Sequence, residues 1–256
     1  MAEWLVSTDL DGTLLNHHSY AFEAVLPVVA RLKEAGVPLL LNSSKTLAEL
    51  RAWRETFHLS DPIIAENGGI VAQSTQSVRY LGTARTHILS LIHAWRAQKG
   101  WLFEGFADWT LEQVIEQTGL DPQAAQASMQ RDVTEPIIWL GSPPGLVEFQ
   151  AFLAQNQLQL QKGGRFYHVM APHDKASALK QLQPDYPNRK ILALGDGGND
   201  RAMLAMADIA VVMPNAQGDY LQLEPQNNPQ IIYHAPQQAP VGWAQAVSHF
   251  IFQEAL

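Results

Sequence analysis

The sequence predicts an α/β fold in which a doubly wound parallel sheet is interrupted by an inserted α+β domain. Near both ends of the chain, apolar runs of three or four residues alternate with stretches of helical period. That alternation is typical of βαβ units in a parallel sheet. Between about Gly82 and Met170 longer helical stretches replace it, which indicates an insertion. A chain of 256 residues is long enough for two unequal domains.

The first part of the chain carries three predicted strands, with a helix after each of the first two. Each strand is a short apolar run, and each helix repeats its apolar residues at a period of 3.6. The predicted elements are a strand at Trp4–Val6, a helix from Phe22 to Leu32, a strand at Pro38–Leu41, a helix from Leu47 to about Phe57 and a strand at Ile63–Ala65.

The same alternation resumes after the insertion. The predicted elements are a helix at Lys175–Gln183, a strand at Ile191–Leu194, a helix at Arg201–Met206, a strand at Ile209–Val212, a short strand at Ile231–Tyr233 and a final amphipathic helix from Trp243 to Ile251. We therefore expect residues 1–82 and 171–256 to form one Rossmann-like core domain, and residues 83–170 to form the inserted cap domain that selects the substrate.

Two aspartates follow the first predicted strand. Asp9 and Asp11 are two apart on an extended segment, so both carboxylates leave the strand end on the same side. Gly12 permits the sharp turn that comes next. A plain Asp-Gly turn explains this segment equally well on local grounds. The residues that follow the other predicted strands are therefore needed to distinguish a turn from an active site.

A second acidic turn, Gly195–Asp200, follows the predicted strand Ile191–Leu194. It is not a dinucleotide-binding fingerprint, which requires glycine or alanine where Asp200 stands. The chain also lacks the Gly-Lys-Ser/Thr of a P-loop, and the glycine after Asp11 comes two positions too early for an EF-hand. Both acidic turns fall at the carboxyl ends of strands, where α/β sheets bind their ligands.

Several carboxylates on one sheet edge require a cation. Two unit charges ~4 Å apart repel by about 4 kcal/mol at an effective dielectric constant near 20. Oxygen ligands without histidine or cysteine suit Mg²⁺, which often shares a substrate phosphate. The sequence thus predicts a Mg²⁺ site formed by Asp9, Asp11, Asp196 and Asp200.

These motifs resemble those of the haloacid dehalogenase-like phosphatases. The resemblance rests on four segments in the same order over the whole core: Asp9–Thr13, Ser43 after the second strand, Lys175 at the start of a helix, and Gly195–Asp200. It implies a phosphatase that uses Mg²⁺ and works through an aspartyl-phosphate intermediate.

The resemblance also implies roles for single residues. Asp9 would be the nucleophile, and Asp11 would protonate the leaving alkoxide and then activate water. Ser43 and Lys175 would bind the phosphoryl oxygens. The implied metal ligands are Asp9, Asp11 through its carbonyl group, and Asp196, with Asn199 and Asp200 in or near the coordination shell.

A narrower resemblance is to the mannosyl-3-phosphoglycerate phosphatases. It lies in Asn42–Thr46, Glu66–Gly69, Arg131–Pro136 and Gly163–His168, although most relatives with this type of cap have Thr-Gly-Arg at positions 43–45. It implies that mannosyl-3-phosphoglycerate is hydrolysed to mannosylglycerate, with Arg165 binding the glycerate carboxylate through both prongs of its guanidinium. The implied substrate-binding residues are Ser44, Lys45, Asn67, Arg131, Arg165 and His168.

Other interpretations stay open at this point. An alternative substrate is glucosyl-3-phosphoglycerate or another sugar phosphate, and a catalytically silent regulator that binds sugar phosphates is a further alternative. Judged from neighbouring residues alone, Ser43 is explained as a helix N-cap and Lys175 as a solvated lysine. Arg131 and Arg165 are explained in the same way as surface arginines. The histidines, His17 and His18 among them, show no zinc-ligand spacing.

Composition limits the partners. The net charge of −8 argues against nucleic acid or an anionic membrane as the main partner. The absence of cysteine excludes disulfides and thiolate chemistry. No signal segment and no apolar run near 18 residues are found, so we expect a soluble, cytoplasmic protein with a small phosphorylated glycosyl-glycerate as its partner. The sequence does not specify the oligomeric state.

Overall fold

A computed structural model describes residues 3–100, 102–226 and 230–255. Its strands are β1 Trp4–Thr8, β2 Leu39–Asn42, β3 Ile63–Ala65, β4 Ile70–Ala72, β5 Val78–Tyr80, β6 Phe103–Gly105, β7 Thr134–Trp139, β8 Gln159–Lys162, β9 Tyr167–Met170, β10 Lys190–Gly195, β11 Ile209–Val212 and β12 Ile231–His234. Its α-helices are α1 Leu26–Glu34, α2 Leu47–Thr56, α3 Arg85–Lys99, α4 Leu111–Thr118, α5 Pro122–Ser128, α6 Pro143–Gln155, α7 Lys175–Leu182, α8 Arg201–Met206 and α9 Val241–Phe252.

The central sheet has eight strands in the order β12-β11-β10-β1-β2-β3-β4-β5. Six of them, from β12 to β3, run parallel, which confirms the predicted α/β class. Apolar side chains fill both faces of the sheet, with Trp243 of α9 on one face and Leu179 of α7 and Met203 of α8 on the other. Among the described residues no helix has the length and apolar content needed to cross a membrane.

One edge of the predicted parallel sheet carries two antiparallel strands. β4 pairs antiparallel with β3, and β5 pairs antiparallel with β4. The cause is the tight turn at Glu66–Gly68, which reverses the chain so that Ile70 lies beside Ala65. Neither β4 nor β5 was predicted, because each follows the strand before it without the intervening helical stretch on which the prediction of βαβ units depends.

The central strands bring the predicted motifs to one edge. Thr8 at the end of β1 lies beside Leu194 of β10 and Leu41 of β2. The residues that follow these strands therefore come together: Asp9 after β1, Ser43 after β2 and Asp196 after β10. This convergence results from parallel pairing, which places all carboxyl ends on the same side.

The inserted segment builds a second sheet of four antiparallel strands in the order β6-β7-β9-β8. It has an apolar core of its own, in which Phe149 and Leu153 of α6 pack with Ile88 of α3 and Ile137 of β7. These features support residues 83–170 as a cap domain, and the exact limits of the two domains stay a prediction.

Glu66 joins this second sheet to the core. Its carboxylate, fully buried, accepts hydrogen bonds from the backbone amides of Asp132 (2.8 Å) and Val133 (3.1 Å) and from the hydroxyl of Thr134 (2.6 Å). Its carbonyl oxygen lies 3.2 Å from the imidazole of His173, in the segment that returns to the core. Both ends of Glu66 therefore hold the junction between the two sheets.

Candidate active site

Lys175 lies at the centre of the acidic edge. As the first residue of α7, after the N-cap Asp174, it places its ammonium 2.6 Å from Asp9 Oδ1 and 2.6 Å from Asp200 Oδ1. The lysine is fully buried. Burial alone would lower the pKa of Lys175, but the charges of Asp200 and then Asp9 outweigh it and raise that pKa. Lys175 is therefore a buried cation held by two carboxylates, not the solvated lysine of the alternative interpretation.

Three carboxylates form a cluster suited to a cation. Asp9, Asp196 and Asp200 each offer one oxygen, and these oxygens lie within 4.8 Å of one another. Burial, followed by the charges of Asp9 and Asp200, raises the pKa of Asp196 to about 8. The second oxygen of Asp200 accepts backbone hydrogen bonds from Asp196 (3.1 Å) and Gly197 (2.9 Å), which shape the turn. An oxygen-only donor set under this mutual repulsion fits Mg²⁺.

Asp11 stands beside this cluster with its carboxylate directed elsewhere. Its Oδ2 lies 3.0 Å from the ammonium of Lys45, and its Oδ1 is buried without a hydrogen-bond partner in the described chain. The turn between Asp11 and the metal cluster requires glycine, since Gly12 has φ +79° and a Cβ there would lie 2.6 Å from Asp196 Oδ2. Any contact of Asp11 with a metal would thus use its carbonyl group, as the resemblance implies.

A cavity of about 700 Å³ separates this edge from the cap. Six of the predicted site residues line its core side: Asp9, Asp11, Ser44, Lys45, Asp196 and Asn199. Three more line its cap side: Arg131, Arg165 and His168. Residues separated by more than 150 positions are brought together around one space.

Four predicted site residues lie behind the cavity wall, namely Ser43, Asn67, Lys175 and Asp200, all almost fully buried. Asn67 accepts a hydrogen bond from Asn199 through its Oδ1 (3.2 Å), and its Nδ2 is buried without a hydrogen-bond partner among the described residues, so its predicted role in substrate binding stays a prediction. Ser43 is not a helix N-cap, since Thr46 performs that function for α2. Asn67 thus supports the metal turn.

The two cap arginines are both anchored by backbone carbonyls. Arg131 donates through Nη1 to Ser44 O (3.2 Å) and to Thr134 Oγ1 (2.9 Å), which leaves its Nε buried without a described partner. Arg165 donates through Nη1 to the carbonyls of Gln117 (3.2 Å) and Thr118 (3.0 Å). Each guanidinium is oriented by the protein and keeps donors for a ligand.

His168 is the neutral member of the cap wall. Burial, and then the nearby charge of Arg131, lower the pKa of His168 to about 3. Its Nδ1 is buried and has no hydrogen-bond partner among the described residues. The imidazole therefore offers a neutral polar edge to the cavity.

Several residues of the cavity wall were not predicted from the sequence. His17, His18 and Tyr20 all line the cavity, although the two histidines show no zinc-ligand spacing in the sequence. Tyr20 has a left-handed backbone, with φ +57°, which is uncommon for a residue with a bulky side chain. Their position directly after the Asp9–Leu15 segment was the available signal, because a loop that leaves a strand end runs along the same edge.

Comparison with known proteins identifies the family. A family model for haloacid dehalogenase-like hydrolases matches residues 6–135 and 147–223. The chain belongs to this family. In this haloacid dehalogenase-like hydrolase the match includes the aspartates of both acidic turns and Lys175.

Solved structures share the fold of this hydrolase over nearly its whole length. A protein from Thermoplasma acidophilum is 16% identical with a TM-score of 0.71, covering 97% of this chain and 98% of its own. A phosphatase of the same superfamily from Bacteroides thetaiotaomicron is 18% identical with a TM-score of 0.68 (96% and 94% coverage). A subclass IIB sugar phosphatase is 16% identical with a TM-score of 0.70 (96% and 98% coverage). At these identities the likeness shows the fold.

Proposed function

We propose that this hydrolase is a Mg²⁺-dependent phosphatase that converts mannosyl-3-phosphoglycerate to mannosylglycerate and phosphate. The observation that carries the proposal is the meeting of Asp9 and Asp11 at a cavity whose cap side presents two anchored arginines, with Lys175 buried directly behind Asp9. One end of the cavity suits a phosphoryl group, and the other suits a second anionic group. The sugar phosphatase among the similar folds supports a phosphorylated sugar as substrate.

In the proposed reaction Asp9 attacks the phosphorus atom. Lys175 holds Asp9 through Oδ1, so Oδ2 is the oxygen that forms the new bond. The bond between phosphorus and the ester oxygen breaks, and Asp11 supplies the proton that the leaving oxygen takes up. Asp11 then accepts a proton from the water that releases phosphate and restores Asp9.

Asp9, Asp196 and Asp200 would hold Mg²⁺, with Asn199 and the Asp11 carbonyl beside them. When bound, the ion neutralises carboxylates and phosphoryl oxygens that would otherwise repel each other. Lys175 supplies a second positive charge from the buried side of the carboxylate cluster. The backbone amides that donate to Asp200 hold the Gly195–Asp200 turn in place. Ser43, almost fully buried at the end of β2, would donate its hydroxyl to a phosphoryl oxygen bound next to Asp9.

The cap residues would bind the glycerate and the sugar of the substrate. A carboxylate accepts paired hydrogen bonds from a guanidinium, and Arg131 and Arg165 both keep donors beyond the Nη1 that anchors them. His168 remains neutral, so it suits a sugar hydroxyl better than an anion. Ser44 and Lys45 line the core side of the same space.

A panel of phosphate esters tests the proposal through kcat/KM with Mg²⁺. It contains mannosyl-3-phosphoglycerate, glucosyl-3-phosphoglycerate, simple hexose phosphates and 4-nitrophenyl phosphate. We expect the two glycosyl-phosphoglycerates to exceed the hexose phosphates, with the mannosyl ester first. A preference for hexose phosphates would contradict the anionic leaving group, and no phosphate release from any ester would favour a silent binding protein.

A further inference from the structure

Lys45 is confined on three sides. Its ammonium lies 3.0 Å from Asp11 Oδ2, 3.5 Å from Glu49 Oε1 and 5.2 Å from the centre of the Tyr20 ring. The side chains of Lys45 and Glu49 are each only 8% exposed. An ammonium has three hydrogen-bond donors, and the ammonium of Lys45 already faces two carboxylates, so it has little freedom to turn toward a substrate and bind it.

Glu49 is itself fixed by helix α2. Its Oε2 accepts a hydrogen bond from the backbone amide of Thr46 at 2.8 Å, and the hydroxyl of Thr46 accepts one from the Glu49 amide at 3.1 Å. This capping box defines the first turn of the helix. The contacts from Glu49 through Lys45 to Asp11 therefore start from a rigid element.

The two oxygens of Asp11 have different surroundings. Lys45 engages Oδ2, whereas Oδ1 is buried and has no hydrogen-bond partner in the described residues. A buried polar atom without a partner is unfavourable by about 1–3 kcal/mol unless a ligand group completes it. Asp11 lines the cavity and its side chain is 34% exposed, so its carboxyl group is within reach of a substrate oxygen.

We propose that Lys45 is a positioning residue that holds Asp11 for proton transfer to the leaving oxygen, and not a direct ligand of the substrate. This inference rests on the proposed phosphatase function. As the phosphorus–oxygen bond breaks, its electron pair stays on the ester oxygen, which takes the proton from the Asp11 carboxyl group. Lys45, anchored by Glu49, fixes the rotamer of Asp11 at the cavity.

The experiment compares kcat/KM of wild type and Lys45→Met on two esters with different needs for a proton. An alkoxide leaves with a proton from Asp11, whereas 4-nitrophenolate leaves without one. The ratio kcat/KM reports only the steps up to release of the leaving group, so later attack by water does not contribute. We expect a loss of about 100-fold for mannosyl-3-phosphoglycerate, or for the best alkyl phosphate of the panel, and below about five-fold for 4-nitrophenyl phosphate.

Two further variants and a control sharpen the test. Lys45→Arg keeps the charge and should recover most of the alkyl-ester activity, and Glu49→Gln should show the same selectivity as Lys45→Met to a smaller degree. Lys33→Met, at an exposed lysine on α1, should change neither ester. If Lys45→Met does not fold, Glu49→Gln decides the question by itself.

Equal losses for both esters would overturn the inference, since they would assign Lys45 to binding of the phosphoryl group. Losses below about five-fold for both esters would overturn it too. These results require an active wild type, so they leave the proposed function intact. A wild type that releases phosphate from neither ester would refute the proposed function and this inference together.

Discussion

Gly68 offers a way to disturb the active site from behind without touching a charged group. It has φ +94°, and a Cβ at this position would lie 2.0 Å from the carbonyl oxygen of Asp174, whereas ordinary contact begins at 3.4 Å. Asp174 is the N-cap of α7, and Lys175 follows it directly. Gly68→Ala must therefore separate the Glu66–Gly68 turn from the start of α7, where Lys175 lies, by about 1 Å.

The expected loss of stability has two sources, the backbone conformation of residue 68 and the collision of its Cβ with Asp174. A left-handed backbone at a residue with a Cβ is unfavourable by about 1–2 kcal/mol, and forced repacking adds about 1–3 kcal/mol. We expect Gly68→Ala to lower the free energy of unfolding by about 2–5 kcal/mol. A displacement of about 1 Å at a group that positions the nucleophile can lower kcat about 100-fold.

The matched control is Gly218→Ala. Gly218 has nearly the same φ, +87°, but a Cβ there meets nothing within 4 Å. Urea unfolding of both variants separates the backbone term from the collision, and phosphate release from 4-nitrophenyl phosphate reports on the site. If Gly68→Ala matched Gly218→Ala in both stability and kcat, the contact between the Glu66–Gly68 turn and α7 would not position Lys175.

Three further outcomes are expected. Lys175→Met leaves Asp9 and Asp200 buried without their cation. With EDTA present to remove metal ions, it should lower the free energy of unfolding by about 3–5 kcal/mol relative to the control Lys180→Met, at an exposed lysine of the same helix. A difference below about 1 kcal/mol would contradict this. His168 has its pKa lowered from 6.5 to about 3, so the unfolded chain binds its proton first as pH falls below 6.5. The contribution of His168 to the free energy of unfolding is therefore fully present above pH 6.5 and is lost as the pH falls below it. Between pH 6 and pH 5, wild type should lose about 1 kcal/mol more of that free energy than His168→Gln, as measured by urea unfolding. Equal losses in the two proteins would contradict this prediction. Arg165→Ala should raise KM for a phosphoglycerate ester about 10–100-fold, as the loss of charged hydrogen bonds predicts, and leave KM for an aryl phosphate nearly unchanged; equal changes would remove Arg165 from carboxylate binding.

The parallel core was predictable because its strands carry strong local signals. The apolar run Ile63–Ala65 and the helix Arg201–Met206 fall at the bounds that the sequence predicts. Strands β4 (Ile70–Ala72) and β5 (Val78–Tyr80) were not predicted, because each follows the strand before it without an intervening helix and the direction of β4 is set by the turn at Glu66–Gly68. That turn depends on tertiary contacts, which periodicity does not encode.

The site was predictable only as far as strand ends determine it. Asp9 and Asp196 meet because β1 and β10 are parallel neighbours, a consequence of the fold class. The partner of Asp11 was not predictable, since the approach of Lys45 depends on the side-chain path between β2 and α2. The buried carboxylate of Glu66 was equally hidden, because its three donors come from the inserted segment.

The nucleophilic role of Asp9 is tested most directly by trapping the covalent intermediate. Wild type would be mixed with substrate and Mg²⁺, quenched in acid within one turnover and digested, and the phosphorylated peptide identified by mass spectrometry. We expect the phosphoryl group on the peptide that contains Asp9, and no trapped phosphate and no multiple turnover in Asp9→Asn. Phosphate on another peptide, or sustained turnover by Asp9→Asn, would contradict the proposed mechanism.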